Sequence, residues 1–365
     1  MPSESLHARR APVAALRASC AAALMSAGAC GLPTSVPDSP IIDVRWVVPS
    51  QSARFTVDNL LPSGVSIVPD SSGFNIVASA ASVTRTLSQD CSVCVALNGL
   101  NAPKPAFVAT ATSSTSLPSD IAAATVVSGS LQVVVQNKYT FDPLRPNPTA
   151  GSPNGYAIIT VSNGSNVVGR DSVNGATTAL PAGTTLTRTI PVAGPISGTV
   201  PLTIAMVMNS PAGENRFIDA SKTITVTATP TGLKVANVSV NVVNRSLNAS
   251  TTIDLAGVDS RIRDDAESGS LVLALVNPFT VAGALTLKLT PEFGATITKT
   301  IALAAGNSTP PPIPFTRDEL RSLLGRKVAV TYTGTVNSPT PVNVSPKQVV
   351  VVTTKLDVSL TVGGK

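Results

Sequence analysis

Apolar and polar residues alternate with a period of two in many short runs along this chain. The runs are Arg54–Asn59, Gly73–Ala80, Leu131–Gln136, Ala157–Ser162, Leu186–Val192, Leu202–Val207, Thr223–Thr229, Val235–Val243, Leu271–Val276, Leu285–Leu289, Ile297–Leu303, Val328–Tyr332 and Gln348–Val358. Such alternation sets one face of a strand against a core and the other toward water. Val, Ile and Thr fill these runs, while Gly, Pro, Asn and Ser separate them. The pattern predicts an all-β fold of tandem antiparallel β-sandwich domains, immunoglobulin-like in layout. One segment departs from it. Thr316 and Glu319 have capping-box spacing, Phe315 and Leu320 stand at staple positions, and Gly325 is a stop. A single short helix is therefore predicted at 317–324.

Comparison of the chain with itself finds three matches in the same order. SGSLQVVVQNKYTF begins at Ser128 and SGSLVLALVNPFTV at Ser268, an offset of 140. Thr185–Ala193 (TLTRTIPVA) matches Thr296–Ala304 (TITKTIALA) at 111, and Met208–Pro211 matches Val336–Pro339 at 128. These matches predict two related sandwiches, 119–230 and 231–360. Ser113–Ser119 (SSTSLPS) reads as a linker, and 43–112 as an N-terminal β domain of its own. Leu131–Gln136 should then occupy the place of Leu271–Val276, Leu186–Ile190 that of Ile297–Ile301, and Leu202–Val207 that of Val330–Thr335. Alternation groups Leu186, Arg188 and Ile190 on one face, as it does Ile297, Lys299 and Ile301. A cation on the apolar side implies a strand edge or end, where a long stem reaches water. The phrases LVLALVNPFT and LQVVVQN, apolar strands ending in Asn and a turn, resemble the start of the late-embryogenesis-abundant type 2 sandwich. That resemblance covers about ten residues per copy, and Lys138 stands where the second copy has Pro278. It implies a two-layer β fold.

Composition sharpens the class. The 365 residues are 43% apolar and 13% charged, which suits several packed cores rather than a disordered chain. The net charge of +6 is spread over Lys and Arg residues that gather into no block and have no interleaved aromatics, so no nucleic-acid face is expected. The single histidine, His7, lies in the N-terminal segment. A Ser-His-Asp triad in the body is thereby excluded.

That N-terminal segment carries Arg9, Arg10 and Arg17 ahead of the uncharged, mostly apolar 18–29. It reads as a signal peptide, 1–29, whose removal leaves a net charge of +4. Its end, Ala27-Gly28-Ala29-Cys30, resembles the lipobox of bacterial lipoprotein precursors, with Ala27 where that family usually has Leu. The resemblance implies lipidation at Cys30. Residues 30–42, rich in Pro and Ser, read as a tether. The alternative is plain cleavage with Cys30 an ordinary thiol.

Cys91 and Cys94 form a C-x-x-C. A zinc site needs four ligands, and once 1–29 is removed only Cys30, and no histidine, remains beside this pair. A thioredoxin-type pair should open a helix, whereas apolar β-prone residues surround this one. A local disulfide in an exported protein is expected. Asp254, Asp259, Asp264, Asp265 and Glu267, interleaved with Arg261 and Arg263, fit no calcium loop and read as a solvated loop with ion pairs. Asn163-Gly164 reads as a hairpin turn, and the sequons at Asn163, Asn237, Asn244, Asn248, Asn307 and Asn343 receive no role. The expectation is an exported, lipid-anchored envelope protein at the outer membrane, cell surface or periplasm. It would be non-enzymatic, with no cofactor, and would meet the membrane through its lipid and an envelope protein or polysaccharide through its sandwiches. The alternatives are a carrier with an apolar cavity and a hydrolase using two converging carboxylates.

Overall fold

The computed structural model describes residues 42–147 and 152–362. The expected signal peptide, Cys30 and the tether up to residue 41 lie outside the described residues. Asp43–Val362 form one compact unit.

The chain opens with β1 (Ile42–Val47), β2 (Gln51–Thr56), β3 (Val65–Ile67), β4 (Phe74–Ile76) and β5 (Ala81–Thr86). Two helical turns, α1 (Leu87–Asp90) and α2 (Ser92–Ala96), lead to β6 (Asn101–Pro103) and β7 (Phe107–Thr115). There follow β8 (Ile121–Asn137), β9 (Tyr156–Asn163), β10 (Asn166–Asn174), β11 (Thr185–Pro191), β12 (Gly194–Ile196), β13 (Leu202–Ser210), β14 (Asn215–Phe217) and β15 (Thr223–Val240). After β16 (Arg245–Asp254) and α3 (Ser260–Asp264) come β17 (Ala266–Val276), β18 (Ala282–Pro291), β19 (Ile297–Leu303) and β20 (Ile313–Phe315). Last are α4 (Arg317–Leu323), β21 (Lys327–Asn337), β22 (Val342–Val344) and β23 (Val349–Val362). The architecture is all-β, as the alternation requires.

Two sandwiches share one order of pairing. The first stacks β10-β9-β13-β7 on β11-β8-β15-β5; the second stacks β19-β18-β21-β16 on β20-β17-β23-β2. Their inner faces follow the period of two. In the first, Leu131, Val133 and Val135 face Ile159, Ile204 and Met206; in the second, Leu271, Leu273 and Leu275 join Leu285, Leu287 and Val330, all buried. Each such side chain contributes about 1.5–3 kcal/mol on burial.

Several boundaries differ from the sequence reading. Residues 43–112 do not stand apart: β2 pairs with β23, β4 and β5 pair with β15, and β7 pairs with β13. The first three residues of the expected linker, Ser113–Thr115, are the end of β7. The strands read as Thr223–Thr229 and Val235–Val243 are one, β15, which runs through the expected 230/231 boundary. Register irregularities between Thr231 and Val238 let it continue past Pro230 and Gly232.

The equivalence of Leu186–Ile190 with Ile297–Ile301 is overturned. β11 pairs with β8, whereas β19 pairs with β18, so the two TxTxTI strands lie in opposite layers of their sandwiches. By pairing, β19 corresponds to β10, and β20 to β11. The faces nevertheless follow the alternation. Leu186, Arg188 and Ile190 turn inward, as do Ile297, Lys299 and Ile301. Each inward cation meets a carboxylate: Arg188 Nε donates to Asp171 at 2.7 Å, and Lys299 Nζ to Glu319 at 2.9 Å.

The other two matches fall on corresponding strands. Asn209 pairs with Tyr156, the first residue of β9, and Asn337 with Ala282, the first residue of β18. Asn137, the last residue of β8, and Asn277, the first residue after β17, hold the turns that follow in the same way. Asn137 Nδ2 donates to the Phe141 and Leu180 carbonyls at 2.9 and 2.8 Å, and its Oδ1 accepts from the Tyr139 N–H. Asn277 Nδ2 donates to the Val281 and Ala304 carbonyls at 3.0 and 2.8 Å, and its Oδ1 accepts from the Phe279 N–H. A buried carboxamide thus replaces the ladder bonds lost where the strand turns away.

The predicted helix is α4, with both capping-box bonds and Leu320 and Leu323 buried. It is not the only helical segment. α1 carries its own capping box from Thr86 and Gln89, and Asp259 caps α3 inside the acidic stretch.

Candidate functional site

Cys91 and Cys94 are bonded to one another. Contrary to the β surroundings read from the sequence, Cys91 caps α2, and its Sγ accepts from the Cys94 N–H at 3.1 Å. The i, i+3 spacing of C-x-x-C suits a helical turn, and the capping box of α1 starts that turn. Both residues are buried. The pair closes the end of the first sandwich beneath the 211–222 loop, where Leu87 N–H meets the Lys222 carbonyl.

The acidic stretch is used in caps and ion pairs. Asp254 accepts from the Ala256 N–H, Asp259 from the Arg261 N–H, and Glu267 pairs with Arg317. Among the described residues no three His, Cys, Asp or Glu side chains converge on a point. Asn163 is buried rather than a mere turn residue. Its Nδ2 donates to the Ser197 and Val200 carbonyls at 3.1 and 2.9 Å, and its Oδ1 accepts from the Ser197 N–H. In the folded chain that sequon amide is spent on the 197–201 loop.

The most unusual chemistry belongs to a residue that the sequence reading passed over, Lys104. Its side chain is 0% exposed. Nζ donates to the Pro105 carbonyl at 3.0 Å and to the Pro211 carbonyl. It lies 4.7 Å from the Phe107 ring centroid and 5.4 Å from that of Phe141. Carbonyl oxygens and ring faces favour a cation there. Burial works harder in the other direction and pulls the Lys104 amine down to about 7, against some opposing help from Asp142. The Asp142 carboxylate is itself occupied by the N–H groups of Leu144, Arg145 and Leu180.

Tyr139 completes the cluster, with its ring 6.2 Å from Phe107 and 5.7 Å from Phe141. Burial first, and then the Asp90 charge, hold its hydroxyl well above the ordinary tyrosine range. That hydroxyl has no hydrogen-bond partner among the described residues, and neither have Arg85 Nε and Asp90 Oδ2 beside it. Arg85 and Asp90 pair through their other atoms at 2.8 Å. No motif announces this cluster, because its members come from β5, α1, the β6–β7 junction and the loop after β8. The one legible signal is a lone Lys between prolines (Ala102-Pro103-Lys104-Pro105) entering an alternating strand.

A groove of about 350 Å³ lies elsewhere, between Pro195 and Ile196 on one side and Asn237 and Asn343 on the other, with Ala123, Thr125 and Ser239 among its lining. No carboxylate lines it. Between the layers, where a carrier would hold an apolar ligand, pack the buried side chains named above. No helix among the described residues is long and apolar enough to cross a membrane.

Comparison with protein families and with curated proteins finds no match. Among solved structures, a Parabacteroides distasonis protein described as secreted aligns at 10% identity over 86% of this chain and 99% of its own, with a TM-score of 0.32. The infectious bursal disease virus Gx strain structure aligns at 12% identity over 91% and 86%, with a TM-score of 0.15. The VP2 subviral particle of the same virus aligns at 10% over 91% and 84%, with a TM-score of 0.17. Likeness this slight carries no argument about fold or function.

Proposed function

We propose that this chain is an exported, lipid-anchored envelope protein whose two sandwiches serve a non-enzymatic structural or binding role. The observation that carries this reading is the junction at the N-terminus. A basic segment, an apolar run ending Ala27-Gly28-Ala29-Cys30, and a Pro/Ser tether lead directly into a folded β body. The body is consistent with a scaffold. Its carboxylates serve as caps and ion-pair partners: Asp142 caps a loop, Asp171 and Glu319 neutralise inward cations, and Asp357 pairs with Arg45. Its partner is an envelope protein or polysaccharide that meets the sheet faces. We further read the two sandwiches as copies of one module, on the strength of their common pairing order and the Asn137/Asn277 turns.

Metabolic labelling with a fatty acid tests the anchor. The wild type should carry label and sediment with envelope, and Cys30→Ser should do neither. Equal labelling of both proteins would sink the reading.

A further inference from the structure

Two identical Asn-Val-Ser tripeptides, Asn237–Ser239 and Asn343–Ser345, received no role from the sequence, yet the fold brings them together. The first lies in β15, and the second ends β22. They run antiparallel, with Val238 opposite Val344 and Ser239 opposite Asn343. That register sets out two Asn–Ser pairs side by side. One is closed, because Ser345 Oγ donates to Asn237 Oδ1 at 2.8 Å. Ser239 and Asn343 form no such bond among the described residues and line the groove of about 350 Å³ instead.

β15 carries an extra residue at this place. Val235 pairs with Val126 and Val238 with Ala124, so Ala236 and Asn237 together oppose Thr125. A bulge re-aims side chains, and both residues come out on the exposed face. With its oxygen held by Ser345, Asn237 keeps the two donors of Nδ2 for the groove. On the other side of Thr125 stands Pro195 of β12, and Ile196 and exposed Val127 add to the apolar lining. No lining residue is charged.

These features select the occupant. A charged ligand finds no counter-charge here. A peptide strand docks by pairing its backbone with a free edge, but β8 and β15, which make the floor, are each paired on both sides. A neutral sugar chain needs neither. Its neighbouring hydroxyls match a carboxamide, which offers donors on one atom and an acceptor on the other. Its C–H ring face suits Pro195 and Val127, and the open groove takes a short stretch of a longer chain.

We propose that this groove binds an uncharged polysaccharide, with Asn343, Ser239 and Asn237 Nδ2 on its hydroxyls and Pro195 and Val127 against a ring face. The proposal rests on the reading of this chain as a binding module with a polysaccharide partner, and gives that partner its site.

Native gels containing dextran, mannan, xylan or galactan as neutral probes, and polygalacturonate as an acidic one, test it on the full chain. At least one neutral gel should retard the wild type. Asn343→Ala should weaken that retention roughly tenfold, and Ala123→Trp, which fills the floor, should abolish it. Both positions are exposed, so both variants fold. Asn248→Ala, on exposed β16 surface, should bind as the wild type does. Retention that Asn343→Ala and Ala123→Trp both keep would overturn this site and spare a polysaccharide partner elsewhere on the sheets. Retardation by no neutral gel, or by polygalacturonate alone, would overturn the site and the neutral partner together. The anchor is read separately, by the fatty-acid label.

Discussion

The two sandwiches pair their strands in one order and turn the chain after their equivalent strands with the same buried asparagine, yet they finish that end differently. The second has Phe279 and Val281 after its asparagine, and apolar packing completes the end. The first has Tyr139 and Phe141 at the same steps, and beneath them a buried lysine, an Arg–Asp pair and a disulfide. A common scaffold thus tolerates either ending, because the carboxamide satisfies the turn before the neighbouring side chains matter. What differs is the segment before the first long strand of each sandwich. β16 is entered through Val240 and Val242, whereas β7 is entered through β6 and Lys104.

The asparagines test the common part most severely. Asn137→Ala removes four hydrogen bonds and Asn277→Ala three, and both strand buried carbonyls, so each should cost roughly 2–4 kcal/mol in denaturant unfolding at unchanged m. The two costs should agree within about 1 kcal/mol. A large cost in one sandwich and almost none in the other would show that the turns are alike only in outline.

The disulfide tests the first ending alone. Replacing Cys91 and Cys94 by Ser opens a very short loop and should cost about 2 kcal/mol on the chain-entropy account. Unfolded, unreduced protein should present neither thiol. Stoichiometric zinc in the purified protein would overturn the disulfide.

Smaller effects come from the inward cations. Asp171 is held below the ordinary carboxylate range by the Arg188 bond. Burial opposes the Glu319 carboxylate, but bonds from Lys299 and Thr316 outweigh it and hold it low as well. Depressed carboxylates stabilise the fold above the ordinary carboxylate range and lose that contribution as pH falls through their folded values. Asp171→Asn and Glu319→Gln should each cost about 1 kcal/mol or less at pH 7. Each should also flatten the fall in stability between pH 5 and 3. An undiminished acid slope in both variants would assign that slope to other carboxylates.

How much was legible follows from what carries the signal. β9, β19 and α4 were readable because large aliphatics or cap residues mark them. β7 and β16 were not, since Ala109, Ala111 and Ser113 in one, and Ser250 and Thr251 in the other, alternate between small side chains that propensity barely separates. The offset of 111 misled because TxTxTI suits any strand with one apolar face, whichever layer it joins. The Lys104 cluster was illegible because four distant segments build it, and burial, not residue type, sets its chemistry. A lone lysine reads as solvated until the rings of Phe107 and Phe141 are seen around it.

The finest test exchanges the two endings at one atom. Tyr139 and Phe279 stand at the offset of 140 and differ by a hydroxyl. The Tyr139 hydroxyl has no partner among the described residues, so its burial costs free energy that no bond returns. Tyr139→Phe keeps the ring against Phe107 and Phe141, and should leave stability unchanged or raise it by up to about 1 kcal/mol. The converse, Phe279→Tyr, brings a hydroxyl to a packed apolar end and should cost about 2 kcal/mol. Equal and small effects from both would mean that the endings are interchangeable and that the polar cluster is incidental. A loss above about 1 kcal/mol from Tyr139→Phe would point the other way. It would mean that Tyr139, Arg85 Nε and Asp90 Oδ2 share a bound water, which makes the first ending a hydrated network rather than a strained one.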